Sequence, residues 1–115
     1  MPYPDCLFCK IAAGIIPVER VYEDDLVLAF PDINPQAPQH LLIIPKQHLT
    51  STEEALSEHV PMLGHLLATA AQVAANKQLT NGYRLVINTG RDGGQTVHHL
   101  HLHLLGGRAL SWPPG

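Results

Sequence analysis

Apolar and polar positions change their spacing several times along the chain, and each change marks an element. Leu63, Leu66, Leu67, Ala70, Val73 and Ala74 recur at i, i+3, i+4, which predicts a long amphipathic helix over residues 58–78. Near the N-terminus, Cys6 to Ala13 reads as a short helix stopped at Gly14, and Pro17 starts an extended stretch. Arg20–Glu23 and Leu26–Phe30 read as a hairpin turning at Asp24-Asp25. The loop Pro31-Asp32-Ile33-Asn34-Pro35-Gln36-Ala37-Pro38 carries three prolines, which remove amide donors and forbid a regular strand or helix interior. His40–Ile44 is the next strand, ended by Pro45. Asn81-Gly82 turns the chain into a strand at Tyr83–Thr89, and the flexible loop 90–94 follows. A last strand is expected from about Gln95 to Leu105, closed by Gly106-Gly107. This order predicts an α+β fold: a five-stranded, mostly antiparallel sheet with one long and one short helix packed on one face.

The length of 115 residues suits one domain, residues 1–115, with 105–115 as a C-terminal tail. No repeat or linker divides it. No apolar run approaches the ~20 residues of a membrane span. The N-terminal residues lack a basic segment followed by an apolar one, so a cytoplasmic location is expected. The formal charge is −3 and no Lys/Arg cluster occurs, which argues against a nucleic-acid partner. A single nucleotide stays open, because backbone amides and neutral side chains can hold one phosphate.

Histidine changes the picture. There are eight, and four of them fall at positions 98, 99, 101 and 103. Side chains alternate along a strand, so His99, His101 and His103 share one face and Leu100, Leu102 and Leu104 the other. His98 falls on the leucine side, outside the constellation. Three imidazoles on one face serve no packing purpose and would repel if protonated together, so a site needing imidazole chemistry is the better explanation. Spacing alone leaves two readings: ligands of a catalytic metal, or one nucleophile with the others orienting it and moving protons. The pair Cys6-x-x-Cys9 is a second chemical signal. It suits two thiolates on one tetrahedral ion, two buried free cysteines, or a redox pair that here lacks its usual βαβ setting.

The segment His99-Leu100-His101-Leu102-His103-Leu104-Leu105 resembles the signature of the histidine-triad family. Asp32–Pro38, His40 with Ile44-Pro45-Lys46, Gly93-Gly94-Gln95, Leu105-Gly106-Gly107-Arg108 and Trp112-Pro113-Pro114-Gly115 look like its Hint branch of nucleotide-binding proteins. The resemblance covers nearly the whole chain. It implies a hydrolase, a purine nucleoside phosphoramidase, in which His101 attacks the α-phosphorus. A nucleotidyl-histidine would form, and water would release an AMP-type nucleoside monophosphate. His99 and His103 complete the triad. The departing amine needs a proton, from His103 with His40 as a relay or from the substrate itself. Gln95 and Thr96 would bond phosphate oxygens, Thr96 standing where this branch often has serine. Asp32 would accept ribose hydroxyls, Ile33 and Leu42 would contact the base, and Asn88 would lie near phosphate and ribose.

Similarity to bacterial members implies structural zinc on Cys6, Cys9, His48 and His99, mixed here with a Hint-type C-terminus. No catalytic metal is expected. The resemblance also implies a homodimer, with Trp112 of the tail near the partner's active site. Three other readings stay open: a nucleotide sensor or scaffold with little turnover, a dinucleoside polyphosphate hydrolase, and a metal-dependent hydrolase.

Overall fold

A computed structural model describes residues 2–115 of the chain. Its elements are α1 (Leu7–Ala12), β1 (Tyr22–Glu23), β2 (Val27–Pro31), β3 (Gln39–Pro45), α2 (Val60–Asn76), β4 (Tyr83–Val86) and β5 (Leu102–Gly106). Two 3-10 turns, Thr52–Glu54 and Ser57–His59, lead into α2. The five strands form one sheet in the order β1-β2-β3-β5-β4, and every neighbouring pair is antiparallel.

Local chemistry sets the ends of these elements. Cys6 caps α1, its sulfur accepting the Cys9 amide at 3.3 Å, and Gly14 at φ +80° lets the chain turn away. Asp24 shapes the β1–β2 turn by accepting the amides of Leu26 and Val27 through Oδ1, at 2.8 and 2.9 Å. Pro61 lies in the first turn of α2, where its missing N–H costs nothing. Gln78, at φ 59°, ends that helix.

The central strands bury both faces. Val27, Ala29, Leu41, Ile43, Leu102 and Leu104 pack with Met62, Leu66, Ala70, Val73 and Ala74 of α2. Leu28, Phe30, Leu42 and Ile44 pack with Phe8 and Ile11 of α1. The helices therefore cover opposite faces of the sheet, which corrects the expectation of a single covered face. The physical cause is visible in β2 and β3, whose unbroken apolar runs leave neither face polar. A second correction concerns α2: Leu67 is 49% exposed, and Met62 and Thr69 take buried positions instead.

The C-terminal strand is shorter than expected. Only residues 102–106 pair with β3, with Ile43 opposite Leu102. Pairing stops there because Pro45 has no amide hydrogen and its carbonyl oxygen is taken by the His99 ring at 2.8 Å. The Leu100 amide goes instead to Leu49 O at 2.6 Å. With that edge gone, β4 ends at Val86, opposite His103. The alternation survives the loss of the ladder, because Leu100, Leu102 and Leu104 all enter the α2-side core.

Candidate active site

His99, His101 and His103 sit on the sheet face that α1 covers. The Phe8 ring of α1 meets His99 and His101 edge-on, with centroids 5.9 and 5.1 Å away. His99 and His101 are buried and His103 is partly so, while His98 is exposed.

Hydrogen bonds assign the protons. His101 Nδ1 lies 2.7 Å from the carbonyl oxygen of His99. A carbonyl can only accept, so Nδ1 carries the proton and Nε2 keeps its lone pair. His103 Nδ1 lies 2.9 Å from His40 Nε2, and Asp32 Oδ2 lies 3.4 Å from the same His40 nitrogen. Burial pushes His103 down to about 4, and neighbouring His101 and His40 add to the effect while Asp32 opposes it. His103 is therefore neutral near pH 7.

His101 and His103 open into a cavity of about 350 Å³, which is within the range of small-molecule sites. Its walls are mainly apolar, including Phe8, Ile11, Ile16, Val18, Phe30 and Leu42, with Asp32, Thr96, His101 and His103 among them. A larger groove of about 530 Å³ runs between residues 2–7 and Thr96–His98, but no triad histidine lines it. The smaller cavity is the better site because apolar walls and convergent polar groups meet there. Phe8, Ile11, Ile16, Val18 and Phe30 were missed as site residues. Their signal was the three-residue spacing of Phe8 and Ile11 on α1, and Phe30 on the β2 face opposite the α2-side core.

The remaining site residues separate into groups. Ile33 borders the cavity with its side chain almost fully exposed, and Leu42 borders it from a buried position. Gln95 has both amide ends engaged. Nε2 donates to Thr50 O at 2.6 Å and Val97 O at 3.1 Å, and Oε1 accepts the Gly90 amide at 3.0 Å. Asn88 Nδ2 donates to Gly93 O at 2.7 Å. Both side chains thus hold the 90–94 loop in shape. Trp112 is 84% exposed, and its tail is tied to this chain's own β4 by Arg84, which donates to Ser111 O and Pro114 O.

Cys6, Cys9, His48 and His99 bring their donor atoms within 4.8 Å of one another. Cys6 Sγ and Cys9 Sγ lie 3.3 and 3.5 Å from His99 Nδ1. Cys9 Sγ lies 3.3 Å from His48 Nδ1, and the two Nδ1 atoms are 3.2 Å apart. Zinc bond lengths place the donors of a tetrahedral site about 3.3–3.8 Å apart, so these separations fit the edges of one tetrahedron. The ring of His99 is set for this, because Nε2 donates to Pro45 O and leaves Nδ1 bare toward the sulfurs. Burial, reinforced by Cys6, pushes the Cys9 thiol up to about 11, so an ion binding there would displace a proton.

Fold and site together define a five-stranded sheet flanked by two helices, with His101 and His103 of a histidine triad facing a small cavity and a thiol–imidazole cluster beside it. Residues 5–111 match the family profile described as scavenger mRNA decapping enzyme C-term binding. An uncharacterized HIT-like protein of Synechococcus elongatus is 60% identical over 111 residues, covering 96% of this chain and 97% of the relative. A 14 kDa zinc-binding protein of Zea mays is 54% identical over 111 residues, covering 95% of this chain and 87% of the relative. The crystal structure of a HIT family hydrolase from Legionella pneumophila superposes with a TM-score of 0.94 at 52% identity. That match covers 96% of this chain and all of the other. The chain belongs to the histidine-triad (HIT) family.

Proposed function

We propose that the protein is a Hint-type nucleoside phosphoramidase using His101 as its nucleophile. The observation that carries this is the 2.7 Å bond from His101 Nδ1–H to the His99 carbonyl, which leaves Nε2 of a neutral imidazole as the free lone pair. Nε2 attacks the α-phosphorus, the phosphorus–nitrogen bond breaks, and the amine departs with a proton. The product is a nucleotide bonded to His101 Nε2. Water then attacks the same phosphorus and loses a proton, releasing the nucleoside monophosphate and the free imidazole. The apolar cavity walls suit a purine, Asp32 suits ribose hydroxyls, and Thr96 offers a hydroxyl to the phosphate. Gln95 and Asn88 act by shaping the loop that borders the phosphate.

The likeness to a zinc-binding relative and the tetrahedral donor set support zinc on Cys6, Cys9, His48 and His99. Four protein donors close such a site, so the ion supplies bracing and leaves no open position for water. The protein acts as a homodimer of a reducing, cytoplasmic compartment. Exposed Leu67 and Tyr83 offer apolar surface for the contact, and the free thiols suit that location. No helix among the described residues is long and apolar enough to cross a membrane.

The test is hydrolysis of a fluorogenic adenosine phosphoramidate by wild type and His101→Ala, each with and without chelator. Wild type turns over, and the variant loses at least ~10²-fold. Intact-protein mass spectrometry of quenched wild type detects one added nucleotidyl group. A wild type that binds AMP and cleaves no phosphoramidate refutes the reading.

A further inference from the structure

Asp32, His40 and His103 bring three donor groups within 4.8 Å, yet their hydrogen bonds suit a fixed proton arrangement rather than an ion. The backbone N–H of Gln36 donates to His40 Nδ1 at 3.0 Å. An amide nitrogen has a proton to give and no lone pair to receive one. Nδ1 of His40 is therefore bare, and the ring proton sits on Nε2. That proton faces His103 Nδ1 at 2.9 Å, with Asp32 Oδ2 as a second acceptor at 3.4 Å. His103 Nδ1 is thus occupied as an acceptor, and its single proton stays on Nε2.

The Gln36 amide is itself held in place. Arg108 Nη2 donates to Gln36 O at 3.1 Å, and Gln36 Nε2 donates to Asn34 O at 3.0 Å. The Asp32 amide donates to His40 O at 2.9 Å. Gly107 closes the loop against the end of β5, where an added Cβ would come within 2.8 Å of Pro38 Cβ.

We propose that His40, set by the Gln36 amide, is a positioning residue that holds His103 as a neutral Nε2–H donor toward the phosphate. It rests on the phosphoramidase reading for the identity of that phosphate. A relay through His40 would require Nδ1 to take up a proton as Nε2 releases one. The Gln36 N–H blocks that nitrogen and cannot pass a proton on. The amine's proton therefore enters with the substrate nitrogen or from solvent in the cavity. His101, His40 and Asp32 are the titratable groups that face His103. Both imidazoles oppose a charge on it, and only the carboxylate favours one.

Imidazole nitrogen NMR of the full-length ¹⁵N-histidine protein reads the arrangement without any substrate. His103 is expected as the Nε2–H tautomer, uncharged from pH 7.5 to 5. His40→Phe removes the donor and gives mixed His103 tautomers with a kcat at least ~10²-fold lower. His40→Gln can still offer an N–H but carries no proton onward. It is expected to restore the Nε2–H tautomer and recover at least ~10-fold of the lost kcat with KM unchanged. A wild-type His103 found as Nδ1–H, or doubly protonated at pH 6.5, overturns the proposal. So does a Gln variant as slow as the Phe variant, which would mean a travelling proton. If His40→Phe does not fold, the wild-type tautomer and the Gln variant still decide. If no phosphoramidate is cleaved, the phosphoramidase reading falls by itself while the tautomers still judge the role of His40.

Discussion

Stripping the proposed zinc is expected to lower the melting temperature by about 17 °C. The centre ties three distant pieces of chain together: α1 through Cys6 and Cys9, the exit of β3 through His48, and the approach to β5 through His99. α1 is short, and apart from the packing of Phe8 and Ile11 on the sheet it is held by Arg20, which donates to Ile11 O at 2.9 Å. Cys9 and His48 are 39 residues apart, and His48 and His99 are 51. Closing a loop of either length removes about 4 kcal/mol of chain entropy from the unfolded state, and one ion closing both sets an upper bound of about 8 kcal/mol. Mass action sets the net loss on stripping within that bound, at about 4 kcal/mol when free metal stands at ~1,000 times its dissociation constant. A chain of 115 residues unfolds with about 0.24 kcal/mol/K of entropy, which converts that loss to the stated shift. The assay is a pair of circular dichroism melts, one on protein with one equivalent of zinc and one after chelation. Cys9→Ser serves as the variant that should no longer respond to metal. A shift below ~3 °C in protein shown by elemental analysis to carry one zinc per chain would refute the bracing argument. Wild type that retains no zinc would remove its premise.

Three other outcomes follow from the geometry. Leu104→Ala empties a fully buried position between Leu41 and Leu85, and should cost about 3–5 kcal/mol. Thermal melts should then show a loss of about 12–20 °C. Phe8→Ala removes the ring packed on His99 and His101 and opens the cavity wall. Steady-state kinetics should show KM for the adenosine substrate rising at least ~10-fold, while Phe8→Leu recovers most of it. Burial holds His103 at about 4, below its ordinary 6.5, so the unfolded chain takes up that proton first. Its contribution to stability is complete above about pH 6.5 and is lost as pH falls through 4. Melts of metal-free protein across that window should show the decline, and His103→Gln should flatten part of it.

What the sequence made legible was the part governed by period. The i, i+3, i+4 spacing of Leu66, Ala70 and Val73 found α2, and the alternation of His and Leu at 99–104 found both faces of the last segment. Pro45 and Gly14 marked true boundaries. The errors arose where a boundary depends on a partner distant in sequence. Nothing local shows that the Pro45 carbonyl is claimed by the His99 ring, so the alternation alone extends the last strand back to Gln95, whereas pairing begins at Leu102. The same kind of distant contact hid the placement of α1. A short apolar turn does not declare which side of a sheet it covers, and Phe8 and Ile11 became visible as cavity walls only once α1 was docked. The residues proposed for chemistry were nevertheless brought together: His40 with His103, and Cys6 and Cys9 with His48 and His99.

His99 links the two proposed chemistries of this short segment. Its ring is fixed at Nε2 by the Pro45 carbonyl and offers Nδ1 to the thiols, while its own carbonyl receives the proton of His101. One residue thus joins the proposed brace to the proposed nucleophile through a single backbone unit. Substitution of its side chain and substitution of Cys6 then predict different things. Losing a cysteine would weaken the grip on the proposed ion and leave the His99 ring, and so its carbonyl, where Pro45 holds it. Losing the imidazole frees the carbonyl as well, and with it the tautomer of His101. His99→Ala should therefore cost more turnover than Cys6→Ala at equal loss of stability. Equal losses of turnover would show that the two sites are joined only through folding.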